Sequence, residues 1–232
     1  MLKPERTLVI VAHPDDAEYL TGGLVSLWTK GGIEVRYVVV TSGNKGTENP
    51  VVTSDQLAQI RRCEQRRAAA RLGVSDVIFL DYEDGELEPS LGLRRELTRI
   101  IREWRPEIVV TFDPETRFMT ETYPNHPDHR ATGDAVVDAV FPAARDRLTF
   151  PELLEQGYEP HKVRELWLVA THNATHWVDV EPVFEQKLAA LREHSSQVDG
   201  STVEAELDEW SRTWAQGGPY ERAEAFRRIV LD

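Results

Sequence analysis

The chain has 232 residues, enough for one large α/β domain with a substantial core and short for two. Hydrophobic residues at 41% and charged residues at 29% are those of an ordinary globular protein, which excludes a disordered or membrane-embedded chain. With 27 basic against 40 acidic residues the formal charge is -13, which excludes a protein whose main work is gripping nucleic-acid backbone or an anionic membrane.

The start Met1-Leu2-Lys3-Pro4-Glu5-Arg6 is charged and leads straight into a strand, and no apolar run nears membrane-spanning length. The single cysteine, Cys63, fits a reducing compartment, so the expectation is a cytoplasmic protein without a signal peptide. Cys63 itself, set among arginines, is expected to be a buried, inert helix residue.

In chain order, residues 7–12 read as a strand and 21–32 as a helix ending on a glycine pair. A Val-rich strand follows at 34–41, then a polar, glycine-bearing loop at 42–50 and a helix capped by Ser54 or Asp55 that runs to about Leu72. A third strand at 76–80 meets the acidic turn 81–86. The amphipathic helix 91–104 closes at Arg105-Pro106, and 107–112 is a fourth strand. Residues 131–144 read as a helix, 146–162 as irregular, 163–170 as a strand, 171–179 as a sheet-edge element and 181–194 as a helix. The Trp-bearing segment 201–228 is expected to be helical, and the tail from 198 fits either a cap over a site or a contact between copies of the chain. This alternation predicts a doubly wound, mostly parallel sheet with helices on both faces and right-handed crossovers.

In such a sheet, ligands bind outside the carboxyl ends of the strands. Two clusters fall there. His13-Pro14-Asp15-Asp16 follows the first strand at once, and His126-Pro127-Asp128-His129 lies on the loop after the fourth. In the usual winding these two strands are neighbours where strand order reverses, so the two loops meet over one crevice. A histidine and a carboxylate three positions apart can converge on one divalent ion. The alternative is a capped turn, with Pro14 and Asp15 as turn residues and Asp16 as a helix cap. Two clusters at strand-end loops together favour the metal. If His13, Asp16 and one of His126 and His129 bind it, two nitrogens and one oxygen leave open positions, the pattern of a catalytic zinc. Asp15 is then the base that takes a proton from water. The histidine that is not a ligand stabilises the oxyanion or protonates the leaving amine, and Asp128 orients that imidazole or a neighbour. His161, His172, His176 and His194 read as surface or satisfied polar residues.

These residues also carry a resemblance. The stretch 12–18 together with 126–133 resembles the LmbE-like or PIG-L family of zinc-dependent N-deacetylases, and residues 60–64, 68–73, 79–87 and 191–197 resemble further blocks in family order. The resemblance implies a Rossmann-like fold of the class above. It also implies His13, Asp16 and His129 as zinc ligands, Asp15 as general base, and His126 assisting at the oxyanion or leaving group with Asp128 in support. Arg61 falls where the family contacts substrate, although its spacing equally suits an exposed helix arginine, and Asp84 or Glu83 falls where sugar hydroxyls are met. The implied cofactor is Zn2+, with Fe2+ the alternative in the cell. The implied partner is a small N-acetylated amino-sugar, with no nucleic acid and no membrane insertion, and with self-association left open. The implied reaction removes the N-acetyl group of an N-acetylglucosamine-type conjugate by attack of an activated water. The alternatives are an amidase for a larger acyl group and a non-catalytic sugar-binding module. The absence of a Gly-x-Gly-x-x-Gly fingerprint after the first strand counts against a nucleotide site.

Overall fold

The computed structural model describes residues 4–231. Its centre is the strand β1 (Arg6–Val11), whose residues from Leu8 onward are all fully shielded from solvent. Both faces are covered: Val9 and Val11 join one apolar cluster, Leu8 and Ile10 another. An unbroken apolar run is what a strand buried on both faces requires, which is why its alternation is invisible in sequence.

β1 pairs in parallel with β2 (Glu34–Thr41) on one side and with β4 (Ile108–Phe112) on the other. β3 (Asp76–Tyr82) pairs outside β2, and β5 (Glu165–Val169) outside β4, again in parallel. Helices α1 (Asp16–Lys30), α2 (Ser54–Arg71) and α6 (Phe184–Leu191) supply residues to the cluster on one face. Helices α3 (Leu91–Trp104) and α4 (Pro127–Asp138) supply the other. The expected doubly wound sheet is therefore present, with its reversal of strand order between β1 and β4.

Several boundaries differ from expectation. α1 begins at Asp16 rather than Thr21, because its first turn is made by the residues of the first histidine cluster themselves. α2 is capped by Thr53, whose hydroxyl accepts from Gln56 N while the Gln56 side chain accepts from Thr53 N, a reciprocal cap one residue ahead of Ser54. α4 starts at Pro127, four residues early, with proline at a position where its missing N–H costs nothing. The stretch expected to be irregular contains the one-turn helix α5 (Pro151–Glu155). Cys63 is exposed, not buried, since it sits on the solvent side of α2.

The largest departure is in the tail. Only α7 (Val203–Ala215) is helical there, and the chain then returns as a strand, β7 (Ala223–Val230). β7 lies antiparallel between β5 and the edge strand β6 (His176–Asp179). Its charged residues look unsuited to a sheet, but Arg228 meets Glu165 and Arg227 meets Glu115 on neighbouring elements. Glu224 of β7 is buried, accepts the N–H groups of Gly23 and Leu24 in α1 at 2.7 and 2.8 Å, and pairs with the buried Lys187 of α6 at 2.6 Å. The tail is thus fastened to the sheet by a ladder and to α1 by a buried carboxylate. Among the described residues no helix is long and apolar enough to cross a membrane.

Candidate metal centre

The two histidine clusters meet at the carboxyl ends of β1 and β4, as the strand order requires. Asp15 holds a left-handed backbone, φ 106°, at the turn between β1 and α1, a conformation that costs a non-glycine residue of order 1–3 kcal/mol unless its surroundings hold it there. Here Gln65 of α2 accepts the Asp15 N–H at 3.0 Å, and Arg61 grips the carbonyl of Pro14. On the other side, α4 presses on the end of β4. A Cβ on Gly133 would lie 2.7 Å from the Phe112 carbonyl oxygen, so only glycine permits this approach.

Three donors face one another. His13 Nδ1 lies 3.3 Å from Asp16 Oδ2, and His129 Nε2 lies 3.3 Å from Asp16 Oδ1. Ligand atoms of His13, Asp16 and His129 all fall within 4.8 Å of one another. Each imidazole is steered by its other nitrogen. His13 Nε2 is 3.1 Å from Asp128 Oδ2 and 3.3 Å from Asp84 Oδ1, while His129 Nδ1 is 2.9 Å from Asn125 Oδ1. Donation from those outer nitrogens leaves the inner lone pairs on the Asp16 side, the second-row arrangement that ligating histidines usually show. The His129 ring is further fixed by stacking on Phe112, 9° from parallel at 4.1 Å. Two nitrogens and a carboxylate, with room opposite, fit a divalent ion with open positions. His13, Asp84, His126 and Asp128 form a second convergent group, but Asp128 there already accepts from the N–H groups of Gly85 and Leu87.

The electrostatics follow from this crowding. Burial works against the charge of Asp16, yet the His129 charge and hydrogen bonds from both histidines hold its carboxyl well below the usual range. Burial likewise disfavours a charged His13, but its bonds to Asp128, Asp16 and Asp84 raise it well above an ordinary imidazole. Burial pushes Asp15 up to about 6 against the pull of the Arg61 guanidinium, which reaches Asp15 Oδ2 at 3.1 Å. His126 is lowered, first by burial and then by the neighbouring His13 charge.

Arg61 is buried, which removes the reading as an exposed helix residue; its guanidinium is engaged by the carbonyls of Gly43 and Pro14 and by Asp15. Asp128 points mainly at His13 and pins the 84–87 turn, with His126 Nδ1 farther off at 3.8 Å. His126 instead caps α4: its Nδ1 accepts the Asp128 N–H at 3.2 Å, so its neutral form carries the proton on Nε2. Of the acidic pair in the turn, Asp84 faces the cavity and is held down to about 2 by His13 despite its burial, whereas Glu83 is exposed and bonds Asn44.

Three supporting features were not expected from the sequence. Asn125 is buried, with its amide N–H given to Thr116 O, which orients its oxygen to His129. Gln65 bridges Asp15 to the buried Glu18, and Glu18 accepts from His194 at 3.0 Å, so of the two readings for His194 the structure shows the bonded polar one, in the core behind the site. Asn125 does adjoin His126, and an amide four residues before His129 is the one signal in the sequence that pointed to any of the three. The third is Trp210, from the tail helix α7, which lines the same cavity of about 350 Å³ as His13, Asp15 and His129.

Residues 8–140 match the family described as PIG-L, GlcNAc-PI de-N-acetylase. The chain is 36% identical over 193 residues to the diacetylchitobiose deacetylase of Thermococcus kodakarensis, covering 83% of this chain and 70% of that protein. It is 30% identical over 202 residues to the probable N-acetyl-alpha-D-glucosaminyl L-malate deacetylase 2 of Bacillus anthracis, covering 84% and 83%. Among solved structures, the N,N'-diacetylchitobiose deacetylase of Pyrococcus horikoshii superposes with a TM-score of 0.91 at 31% identity, over 98% of this chain and 84% of that one. The chain belongs to the PIG-L, or LmbE-like, family of deacetylases.

Proposed function

We propose that this family member is a zinc-dependent hydrolase that removes the acetyl group from an N-acetylglucosamine-type sugar conjugate, acting as a single deacetylase domain in the cytoplasm. The observation that carries this reading is the convergence of His13, Asp16 and His129 beside a strained, partly buried Asp15 at the strand ends. His13, Asp16 and His129 would hold the ion, and Fe2+ suits the same donors. Zinc held there supplies Lewis acidity, which makes water a nucleophile near neutral pH and polarises the acetamide carbonyl.

The protein supplies the rest. Asp15 accepts a proton from the attacking water; a carboxyl raised to about 6 is poised for that transfer near neutrality. Gln65 and Arg61 hold Asp15 in place, so Arg61 serves the substrate chiefly through that carboxylate. His126, its proton on Nε2 and its ring at the cavity, donates a hydrogen bond to the oxygen that gains charge, and the proton that Asp15 took from water passes to the departing amine. Asp128 fixes His13, and Asp84 offers the cavity an acceptor for sugar hydroxyls. Water and amide are converted to acetate and a free amine.

The test is acetate release by the protein reconstituted with one zinc per chain, across N-acetylglucosamine conjugates and longer N-acyl analogues. Acetate from the acetyl substrates supports the reading. No acetate from any conjugate overturns it, and faster release of a longer acyl group would make the chain an amidase.

A further inference from the structure

The turn that carries Asp15 is braced from behind by a segment distant in sequence. Residues 193–197 follow α6 and are fastened to α1, to α2 and to the loop after β2. Ser195 and Ser196 both donate to the buried Glu64 of α2, their hydroxyls at 3.0 and 2.6 Å. Gln197 Nε2 reaches the Gly46 carbonyl in the loop after β2 at 3.2 Å, and a Cβ on Gly46 would lie 2.9 Å from Gln197 Oε1. His194 turns inward to α1, where its Nε2 lies 3.0 Å from Oε2 of Glu18.

One chain of bonds runs from this segment to Asp15. Glu18 accepts from His194 and, through both of its oxygens at 3.0 Å, from Nε2 of Gln65; Gln65 Oε1 in turn accepts the Asp15 N–H at 3.0 Å. His194, Glu18 and Gln65 are all fully shielded from solvent. Among the described residues Nδ1 of His194 has no partner, so the bond to Glu18 is the single hydrogen bond of that side chain. A buried carboxylate and imidazole are a costly way to fix a helix end, because apolar side chains of similar volume pack as well without desolvating a charge. What the polar pair supplies and apolar packing does not is direction. The two ends of an amide have nearly the same shape, so its partners alone decide which end faces which way. The Asp15 N–H can only donate and the Glu18 carboxylate only accept, which leaves Gln65 one orientation. Turned over, the amide would set its NH2 against the N–H of a residue whose φ of 106° already carries strain.

We propose that His194 is a positioning residue for Asp15: it fixes Glu18, Glu18 fixes the Gln65 amide, and Gln65 holds the Asp15 backbone in the conformation that presents its carboxylate to the cavity. The inference rests on the reading of Asp15 as the base. It gives a part in turnover to a histidine that touches neither the cavity nor the three proposed metal ligands, and that lies outside the 8–140 stretch carrying the family match.

The test measures acetate release from N-acetylglucosamine conjugates, zinc content, and hydrogen exchange at the Asp15 amide. The proteins are zinc-loaded wild type, His194→Ala, His194→Gln, Asp15→Ala and the double variant of His194→Ala with Asp15→Ala. His194→Ala should lower kcat about tenfold, leave KM within about twofold and zinc at one per chain, and speed exchange at Asp15. His194→Gln keeps an N–H donor near the place of Nε2 and should restore most of kcat. In the Asp15→Ala background, His194→Ala should lower the residual rate by less than about twofold, since its effect passes through the side chain already removed. If His194→Ala does not fold, His194→Met, of similar volume and with no N–H to give, takes its place. A change in KM alone, loss of zinc, a Gln variant no better than Ala, or a tenfold loss that persists without the Asp15 carboxylate overturns the proposal. No acetate from wild type on any conjugate defeats the deacetylase reading instead. Exchange at Asp15 then decides the positioning by itself: a rate raised by His194→Ala and restored by His194→Gln upholds it, and an unchanged rate overturns it.

Discussion

The metal cavity and the space beside it, walled by Trp177, Trp210 and Trp214, form an inner and an outer half built in different ways. The inner half comes from two tetrapeptides, 13–16 and 126–129, set on the ends of adjacent parallel strands. The outer half comes from the 119–123 loop, the β5–β6 connection, β6 and α7, and it holds its shape through the Glu224 clamp and the β7 ladder. Chemistry that needs a few atoms at fixed separation can be written in a short motif on a rigid strand end. The wall of the outer space is spread over elements that any one residue only weakly determines. The two halves should therefore respond separately to substitution.

The most severe test of that separation is Asp15→Ala, expected to lower kcat by about 10²–10⁴-fold while zinc content and the melting temperature stay close to wild type. Zinc lost together with turnover would mean that Asp15 is a ligand. Next comes Glu224→Ala, which strands Lys187 in the core and leaves two α1 N–H groups without their acceptor. Breaking such a buried pair costs about 3–5 kcal/mol, measurable by urea denaturation. If the folded fraction of this variant also fails to bind zinc, the halves are not separable. Asn125→Ala should weaken zinc by about 10–100-fold in a chelator competition, because His129 loses the partner that orients it. Unchanged affinity would assign that orientation to the Phe112 stack.

The smallest effect concerns the bond between His194 and Glu18 behind the site. Burial disfavours a charged His194, but its hydrogen bond to Glu18 raises it above the ordinary 6.5. A raised histidine contributes stability that is complete below the unfolded value and fades as pH rises through the folded one. Unfolding free energy should therefore slope downward on the alkaline side of pH 6.5, and His194→Gln should flatten that slope. An identical slope in both proteins would place the titrating group elsewhere.

Legibility followed the same division. Strands β1, β4 and β5 were readable because a doubly covered strand must be an apolar run, and the first histidine cluster was readable because it follows such a run directly. The start of α1 was hidden because Asp15 makes no side-chain cap and takes a conformation that sequence rarely signals. β7 was hidden by Arg227 and Arg228, which resemble a solvated helix face until Glu115 and Glu165 are seen beside them. Gln65, Asn125 and Glu224 act through amide or carboxylate contacts with residues 50, 4 and about 200 positions away, and no local period encodes those pairings.

The antiparallel return of β7 also dictates an order of events. Among the described residues β6 has one sheet partner, and that partner is made more than 40 residues later, at 223–230. Until residues 223–230 leave the ribosome, residues 176–179 have no ladder to join, and Trp177 lacks the Gly218 and Trp214 contacts until those residues are made. The parallel core, with its two histidine clusters, can close on the growing chain well before then. A nascent chain would thus bring its two histidine clusters together before it acquires the aromatic wall beside them.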